Sequence, residues 1–193
     1  MSAIKIFTFL LICVIAIKCD ITWGRCKNVE RELDSFDLNR YLGQWFELAR
    51  GKDVPFQKGD CTQANYSMND DGTVRVNNIG VEEGKEFNII GKLETTKNPF
   101  LFKLIFSDTI FGKLLKGDYQ VVDTDYDNYA IVYSCTNLLF GKNESYWILS
   151  RTREVSEHSL LVLTTYVEKK FNKTPNDFRI TDQSENACKL SGF

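Results

Sequence analysis

The sequence is poor in several residue types, and each scarcity argues against a class of function. Its 193 residues include one histidine, His158, and three prolines. A lone histidine and cysteines without CxxC spacing do not form a zinc site, so no metal is expected. The 24 basic and 26 acidic residues nearly balance, with a net charge of −2. That balance gives no basic surface for nucleic acid, and we expect no nucleic-acid partner.

Long apolar runs are also scarce. The one candidate is IFTFLLICVIAI, residues 6–17, which Lys5 precedes. It is too short and wrongly flanked for a membrane span and predicts a signal peptide instead. We place this peptide at residues 1–19, with cleavage as late as Gly24, and a single domain at residues 20–193. The protein is therefore expected to be secreted and extracellular.

Export decides how the six cysteines are interpreted. Cys13 belongs to the signal peptide, as does Cys19. Bacterial-type lipid attachment at Cys19 is disfavoured, because Lys18 stands where a small residue is normally required. An even number remains in an oxidising compartment, which predicts two disulfides. Four cysteines allow three pairings, and their spacing chooses none of them. The four are Cys26, Cys61, Cys135 and Cys188.

Aromatic residues are plentiful, with 14 Phe and 8 Tyr, and many occur in short strand-like segments between turn signals such as NDDG at residues 69–72. Short links between regularly spaced segments indicate an antiparallel meander and exclude a parallel α/β sheet. Eight strands are predicted, at residues 44–51, 62–69, 73–81, 86–94, 101–107, 118–124, 129–136 and 145–151.

One helix is predicted after the strands, with Ser156 as its N-cap. The tail DFRITDQ, residues 177–183, is compatible with a short strand. Several strands carry apolar residues on both faces, which a closed barrel with a helix outside would bury. We therefore predict an all-β fold, an eight-stranded antiparallel up-and-down β-barrel with one C-terminal α-helix packed outside. The apolar stripe of the helix consists of Leu160, Leu163, Val167 and Phe171.

Three short motifs, in order and in the expected strand context, carry a resemblance to one family. Residues 43–45 read GQW, and residues 124–126 read TDY within VVDTDYDNY. Residues 147–152 read WILSRT and contain the basic residue Arg151. The sequence resembles the lipocalins over essentially the whole mature chain. Within them it is similar to the branch of apolipoprotein D, the insect bilin-binding proteins and the bacterial lipocalins. The motif residues are Gly43, Trp45, Thr124, Asp125, Tyr126 and Arg151.

The closed end of the expected barrel follows from alternation together with this resemblance. Trp45, Glu47 and Ala49 share one face of the first strand. In the last strand an inward Trp147 brings Arg151 inward as well. The resemblance implies that the guanidinium lies across the Trp45 ring, so that the two side chains seal the narrow end.

The resemblance also implies features of the outer surface. It implies the disulfides Cys26–Cys135 and Cys61–Cys188, which would tie both chain ends to the barrel wall. If Tyr66 points into the barrel, Asn65 points outward, as a glycan requires. Asn65 also matches a glycosylation position of the family. The three glycosylation sequons are at Asn65, Asn143 and Asn172.

The inward faces above the sealed end are expected to form the pocket. The expected ligand contacts, from alternation and from matching family positions, are Tyr66, Asn78, Phe106, Trp147 and Leu149. Secondary wall residues are Val74, Val76, Leu104 and Val121. This mixture suits a fatty acid, a sterol-like molecule, a retinoid or a bilin. The alternative is a solid barrel that its own side chains fill.

Two apolar loops, at residues 108–117 and 136–144, are expected at the open end. They could fold back over the mouth, pack between subunits, or touch a membrane or lipoprotein surface. Their apolar residues, interspersed with lysines, are Ile110, Phe111, Leu114, Leu115, Leu138, Leu139 and Phe140.

The predicted function is extracellular binding and transport of a small hydrophobic ligand. No catalytic residue or cofactor is expected, because nucleophilic catalysis needs an activated Ser or Cys beside a base. The only histidine is predicted to lie outside the barrel, and the mature cysteines are predicted to be paired. Two alternatives stay open. One is an interaction or protective lipocalin that scavenges lipid, acts as an antioxidant or binds proteins. The other is a lipocalin-type enzyme with a free thiol in its cavity.

Overall fold

Eight strands follow one another along the chain and close into a barrel. The computed structural model describes residues 22–27, 29–52, 54, 57–106 and 117–189; the predicted signal peptide lies outside these ranges. The strands are β1 (Gly43–Gly51), β2 (Asp60–Met68), β3 (Val74–Glu82), β4 (Lys85–Thr95), β5 (Leu101–Phe106), β6 (Gly117–Thr124), β7 (Tyr129–Leu138) and β8 (Gly141–Ser150). Each pairs antiparallel with the next, and β1 also pairs with β8. The predicted up-and-down barrel is confirmed.

A β-bulge in β1 changes which of its side chains face inward. The pairing of β1 with β8 slips by one residue between Glu47 and Ala49, which inserts an extra residue into β1. Leu48 and Ala49 consequently both pack in the outer apolar cluster. The expectation that Ala49 shares the inner face with Trp45 and Glu47 is therefore wrong.

One helix precedes the eight barrel strands along the chain, and another follows them. One turn, α1 (Leu38–Tyr41), precedes β1, and α2 (Glu157–Phe171) follows β8. The Ser156 side chain accepts a hydrogen bond from the backbone N–H of Ser159, which satisfies a free donor in the first turn of α2. All four residues of the predicted apolar stripe pack against the outside of the barrel. The predicted outer helix is confirmed.

The chain after α2 returns to the barrel and extends one of its edges. A short 3₁₀ turn (Pro175–Asp177) leads into β9 (Phe178–Ile180), and α3 (Glu185–Cys188) follows. β2 pairs with the first part of β1, and β9 pairs antiparallel with its last three residues. The strand that the tail sequence suggested is therefore present, although it is only three residues long.

Two disulfides attach the chain ends to the barrel wall. Cys26 is bonded to Cys135 of β7, and Cys61 of β2 is bonded to Cys188 of α3. These are the pairs that the family resemblance implies. The bonds span 109 and 127 residues of sequence. They therefore connect segments that neither local hydrogen bonding nor a short turn would hold together.

The sequons and the apolar loops differ in exposure. Asn65 and Asn172 are exposed, whereas Asn143 is half-buried. In the β7–β8 hairpin, Leu138 is half-buried, while Leu139 and Phe140 are 88% and 79% exposed. These two side chains therefore do not fold back over the barrel. The apolar residues expected in the other loop, Ile110, Phe111, Leu114 and Leu115, lie outside the described residues.

Candidate ligand-binding site

Trp45 and Arg151 close one end of the barrel. The Trp45 side chain is fully buried, and its indole N–H donates to the backbone carbonyl of Tyr41 at 2.9 Å. The Arg151 guanidinium carbon lies 3.7 Å from the centre of the Trp45 ring. The guanidinium also donates to the carbonyls of Arg40, Gln44 and Tyr126 at 2.7–2.9 Å. The floor of the barrel is thus a sealed layer, held by charge-assisted hydrogen bonds.

The backbone conformation at Gly43 explains why the first motif begins with a glycine. Its φ of +95° lies in a region that only glycine adopts at low cost. This kink begins β1 directly after α1 and places the Trp45 side chain two residues later on the inner face. A β-carbon at Gly43 would in addition lie 3.5 Å from the Arg151 guanidinium. The positive φ at Gly43 is therefore the reason for a glycine here, since a β-carbon would make only an ordinary contact with Arg151.

The second motif shapes the turn between β6 and β7. The Thr124 hydroxyl donates to the carbonyl of Tyr129 and accepts from the backbone N–H of Tyr126. The Asp125 carboxylate accepts from the backbone N–H groups of residues 127–129 and from the Asn128 side chain. Burial alone would raise the pKa of Asp125, but these hydrogen bonds lower it below its usual value. None of the three motif residues belongs to the wall of the cavity.

Three tyrosines form a hydrogen-bonded layer above the floor. The Tyr119 hydroxyl is 2.9 Å from the Tyr41 hydroxyl and 2.7 Å from the Tyr66 hydroxyl. Burial raises the pKa of all three phenols, so they stay protonated at neutral pH. Tyr66 and Tyr119 also face the cavity. This layer gives the bottom of the cavity an aromatic surface with hydroxyl groups at its edge.

The cavity above this layer contains most of the expected ligand contacts. Tyr66, Asn78, Trp147 and Leu149 line it, and the Phe106 side chain lies outside the described residues. Of the secondary residues, Val76 and Leu104 line the cavity. Val74 and Val121 are buried in the same inner cluster but are not part of the wall. Lining residues that the sequence analysis did not identify are Glu47, Gln57, Thr62, Gln63, Ala64, Gly91, Tyr119 and Val132.

The cavity is narrow. The space open to the centre of a water-sized sphere is about 40 Å³, roughly enough for three water molecules. A ligand as large as a retinoid therefore requires lining side chains to change rotamer.

A buried polar network forms part of the cavity wall. The Glu47 carboxylate accepts hydrogen bonds from Arg50, from the Thr181 hydroxyl and from the Gln57 amide nitrogen, the last at 2.6 Å. Arg50 also donates to the carbonyl of Gly59 at 3.0 Å. Burial raises the pKa of the Glu47 carboxyl, and the neighbouring guanidinium opposes that rise. The wall is therefore apolar except for this network, a few amides and the hydroxyl groups of Thr62, Tyr66 and Tyr119.

The sequence contained one signal for this network. Alternation already placed Glu47 on the same face as Trp45, and a carboxylate on an inward face needs a buried partner. The partner Arg50 could not be assigned, because the bulge in β1 reverses the alternation after Glu47. Within the part of the chain that the structure describes, no group of three or more His, Cys, Asp or Glu side chains is placed to hold a metal ion.

An eight-stranded barrel with a sealed floor, an inner cavity and an outer helix defines the class of small calyx-shaped β-barrels. A family model described as a lipocalin-like domain matches residues 36–175. The chain therefore belongs to the lipocalin family.

Named relatives agree with this assignment. Apolipoprotein D of Cavia porcellus is 37% identical over 142 residues, which cover 73% of this chain and 74% of the relative. The bilin-binding protein of Pieris brassicae is 28% identical over 170 residues, covering 87% and 89%. Among solved structures, insecticyanin from the tobacco hornworm Manduca sexta superposes with a TM-score of 0.67 at 25% identity, covering 87% of this chain and 91% of that one.

Proposed function

We propose that this lipocalin binds and carries a small hydrophobic molecule inside its barrel. The observation that carries the proposal is an inner cavity with walls of aromatic and aliphatic side chains above the Trp45–Arg151 floor. The name of the bilin-binding relative supports the same type of function. The ligand classes that suit these walls are a fatty acid, a sterol-like molecule, a retinoid or a bilin.

Tryptophan fluorescence tests this proposal. Trp147 lines the cavity, whereas Trp23 is 87% exposed and serves as a matched control. Titration with palmitic acid, cholesterol, retinol and biliverdin should give saturable quenching at one molecule per protein for at least one of them. Trp147→Phe should reduce the quenching, and Trp23→Phe should leave it intact. If no member of this panel binds, the barrel serves as a scaffold for protein contacts or for another protective role.

We further propose that the protein is secreted after removal of residues 1–19. The two disulfides support an oxidising compartment. Among the described residues, no helix has the length and apolarity needed to cross a bilayer. Expression in insect cells, followed by N-terminal sequencing of the secreted protein, should show a start at residue 20, so that Trp23 stays in the mature protein. A mass shift on glycosidase treatment that Asn65→Gln abolishes would identify the glycosylated sequon.

A contact with a lipid surface is a second proposed property. Leu139 and Phe140 are exposed at the tip of the β7–β8 hairpin, and Thr22 pairs with Lys142 by two backbone hydrogen bonds. That pairing holds the exposed Trp23 near the same hairpin. Three large apolar side chains at one end of a barrel favour insertion into a lipid surface.

Vesicle flotation tests this contact. The double variant Leu139→Ser and Phe140→Ser should lose flotation with phosphatidylcholine–phosphatidylserine vesicles and keep its fold. Leu161→Ser, which removes a 64% exposed leucine from α2, is the control and should float like the unmodified protein. Flotation of the double variant at the unmodified level would refute the contact.

We infer that the protein does not use cysteine-based catalysis. Each of the four cysteines in the described part of the chain is in a disulfide. His158 is exposed in the first turn of α2 and is not among the residues that line the cavity. Titration of the secreted protein with a thiol reagent should find no free thiol. A free thiol in the folded protein would favour an enzyme instead.

A further inference from the structure

Two buried polar atoms on the cavity wall are without hydrogen-bond partners. The Gln57 and Thr62 side chains both line the cavity, and the two residues are 3% and 2% exposed. Among the described residues, neither the side-chain amide oxygen of Gln57 (Oε1) nor the Thr62 hydroxyl has a hydrogen-bond partner. Buried polar atoms in folded proteins are nearly always paired. This part of the wall therefore presents two unpaired polar atoms to whatever occupies the cavity, either a bound water or a polar group of a ligand.

The neighbouring carboxylate determines what kind of partner Gln57 accepts. The Gln57 amide nitrogen lies 2.6 Å from one oxygen of Glu47. A carboxylate only accepts hydrogen bonds, so the amide nitrogen must face it and the amide oxygen remains as the available group. Arg50 and Thr181 occupy the other carboxylate oxygen. Gln57 is thus held as a hydrogen-bond acceptor, and its partner must be a donor.

The same geometry disfavours an anionic end group. A carboxylate has no proton to donate to Gln57, and it would lie on a wall that already contains the Glu47 carboxylate. Arg50, which balances Glu47, is not among the lining residues. A hydroxyl group or a lactam N–H has the proton that Gln57 requires. A hydroxyl oxygen can also accept a hydrogen bond from Thr62.

The register of the strands gives the level of these polar atoms in the barrel. Gln57 belongs to the segment that joins β1 to β2, and its amide nitrogen contacts Glu47, which is two residues beyond Trp45 in β1. Glu47 lies opposite Leu149 of β8. A polar end group at Gln57 therefore lies at the level of Leu149, one inward position above the floor.

We propose that the cavity selects ligands whose polar end is an uncharged hydrogen-bond donor, an alcohol or a lactam, over the matching carboxylic acids. Gln57 and Thr62 bind this end group. The inference rests on the proposed binding function and specifies the chemical class of its ligand.

Two matched pairs of probes test this selectivity at neutral pH. They are retinol with retinoic acid, and oleyl alcohol with oleic acid, each measured by tryptophan quenching. Each alcohol should bind about tenfold more tightly than its acid, as expected for one additional hydrogen bond in a shielded site. Equal affinities, or tighter binding of the acids, would overturn the proposal and leave the carrier function standing. Failure of all four probes to bind overturns the selectivity, and the carrier function falls as well only if palmitic acid, cholesterol and biliverdin also fail to bind.

Variants identify the residues responsible. Gln57→Leu removes the acceptor, and Thr62→Val removes the hydroxyl with little change of shape. Gln57→Leu should bring the alcohol-to-acid affinity ratio close to one, because the amide oxygen is the group that distinguishes a donor from a carboxylate. Thr62→Val should weaken binding of the alcohol and of the acid, because a hydroxyl can donate to either. Arg75→Leu, on the exposed outer face of β3, is the control and should leave both affinities unchanged. The Thr62 hydroxyl has no partner to lose, so Thr62→Val should not lower the melting temperature. If Gln57→Leu folds poorly, the ratio in the unmodified protein still decides the selectivity, and an unchanged alcohol affinity in Thr62→Val refutes the role of Thr62.

Discussion

At the scale of single residues, Arg151 holds together several segments at the closed end of the barrel, which the sequence motif by itself does not indicate. Its guanidinium covers the Trp45 ring and donates to carbonyls in α1, in β1 and in the β6–β7 turn. A lysine in its place would keep the charge but could not reach three carbonyls at once. The residue is therefore needed for its shape as well as its charge.

Replacement of Arg151 should be costly for stability. We expect Arg151→Lys to lower the free energy of unfolding by about 1 kcal/mol and Arg151→Met by about 2 kcal/mol, because the carbonyls of Arg40, Gln44 and Tyr126 lose charge-assisted hydrogen bonds. Urea denaturation followed by circular dichroism measures both values. Arg75→Met, on the exposed face of β3, should change stability by less than about 0.5 kcal/mol. A loss that small for the Arg151 variants would show that the floor does not depend on this residue.

Residue-scale prediction from the sequence succeeded where alternation is regular. Tyr66 and Asn78 lie in β2 and β3, whose pairing is regular around them, and alternation together with the family resemblance placed both side chains inward. It failed for Arg50, because a bulge depends on how two strands fit together and leaves no period in the sequence. Gln57 was missed for a related reason, since it lies in a connecting segment without strand periodicity.

At the scale of elements, the β6–β7 turn is stabilised by one carboxylate. The lowered pKa of Asp125 means that its ionised form is favoured in the folded state. Its contribution to stability is therefore fully present above the pKa of an unfolded aspartate, about 3.9. The contribution is lost as the pH falls through the folded pKa.

Asp125→Asn should reveal this pH dependence. At pH 7 the variant should be less stable by about 1 kcal/mol, because a neutral amide oxygen replaces a charged acceptor of the backbone N–H groups. The difference should shrink at pH 3, which is below the pKa of an unfolded aspartate. Urea unfolding at both pH values measures the change. An equal difference at pH 7 and pH 3 would mean that the ionised carboxylate contributes nothing to the turn.

The elements themselves were largely predictable, and the exceptions are short. The eight strands and α2 have strong periodicity and clear caps, such as Ser156. By contrast, α1 and α3 are single turns of four residues each, too short to show a helical period. β9 forms because β1 has an edge that β2 leaves free after Phe46, and such a vacancy is a property of the assembled sheet.

At the scale of the whole molecule, the disulfides hold the chain ends but do not contribute to the cavity wall. Cys26→Ser with Cys135→Ser should lower the free energy of unfolding by about 2–5 kcal/mol, because the bond closes a loop of more than one hundred residues. None of the four cysteines lines the cavity, so retinol quenching per folded molecule should persist. Urea unfolding and fluorescence titration measure the two quantities. Loss of binding in a variant that remains folded would show that the bond shapes the cavity.

The most direct test of ligand binding inside the barrel is native mass spectrometry of three proteins, each purified without denaturation and then supplied with retinol. Val76 and Arg75 are neighbours in β3, and Val76 lines the cavity while Arg75 is exposed on the outer face. Val76→Phe should therefore fill the narrow cavity, and Arg75→Phe should add the same ring outside it. We predict one retinol per molecule for the unmodified protein and for Arg75→Phe, and none for Val76→Phe. Full occupancy in a folded Val76→Phe variant would place the ligand outside the barrel and contradict this prediction.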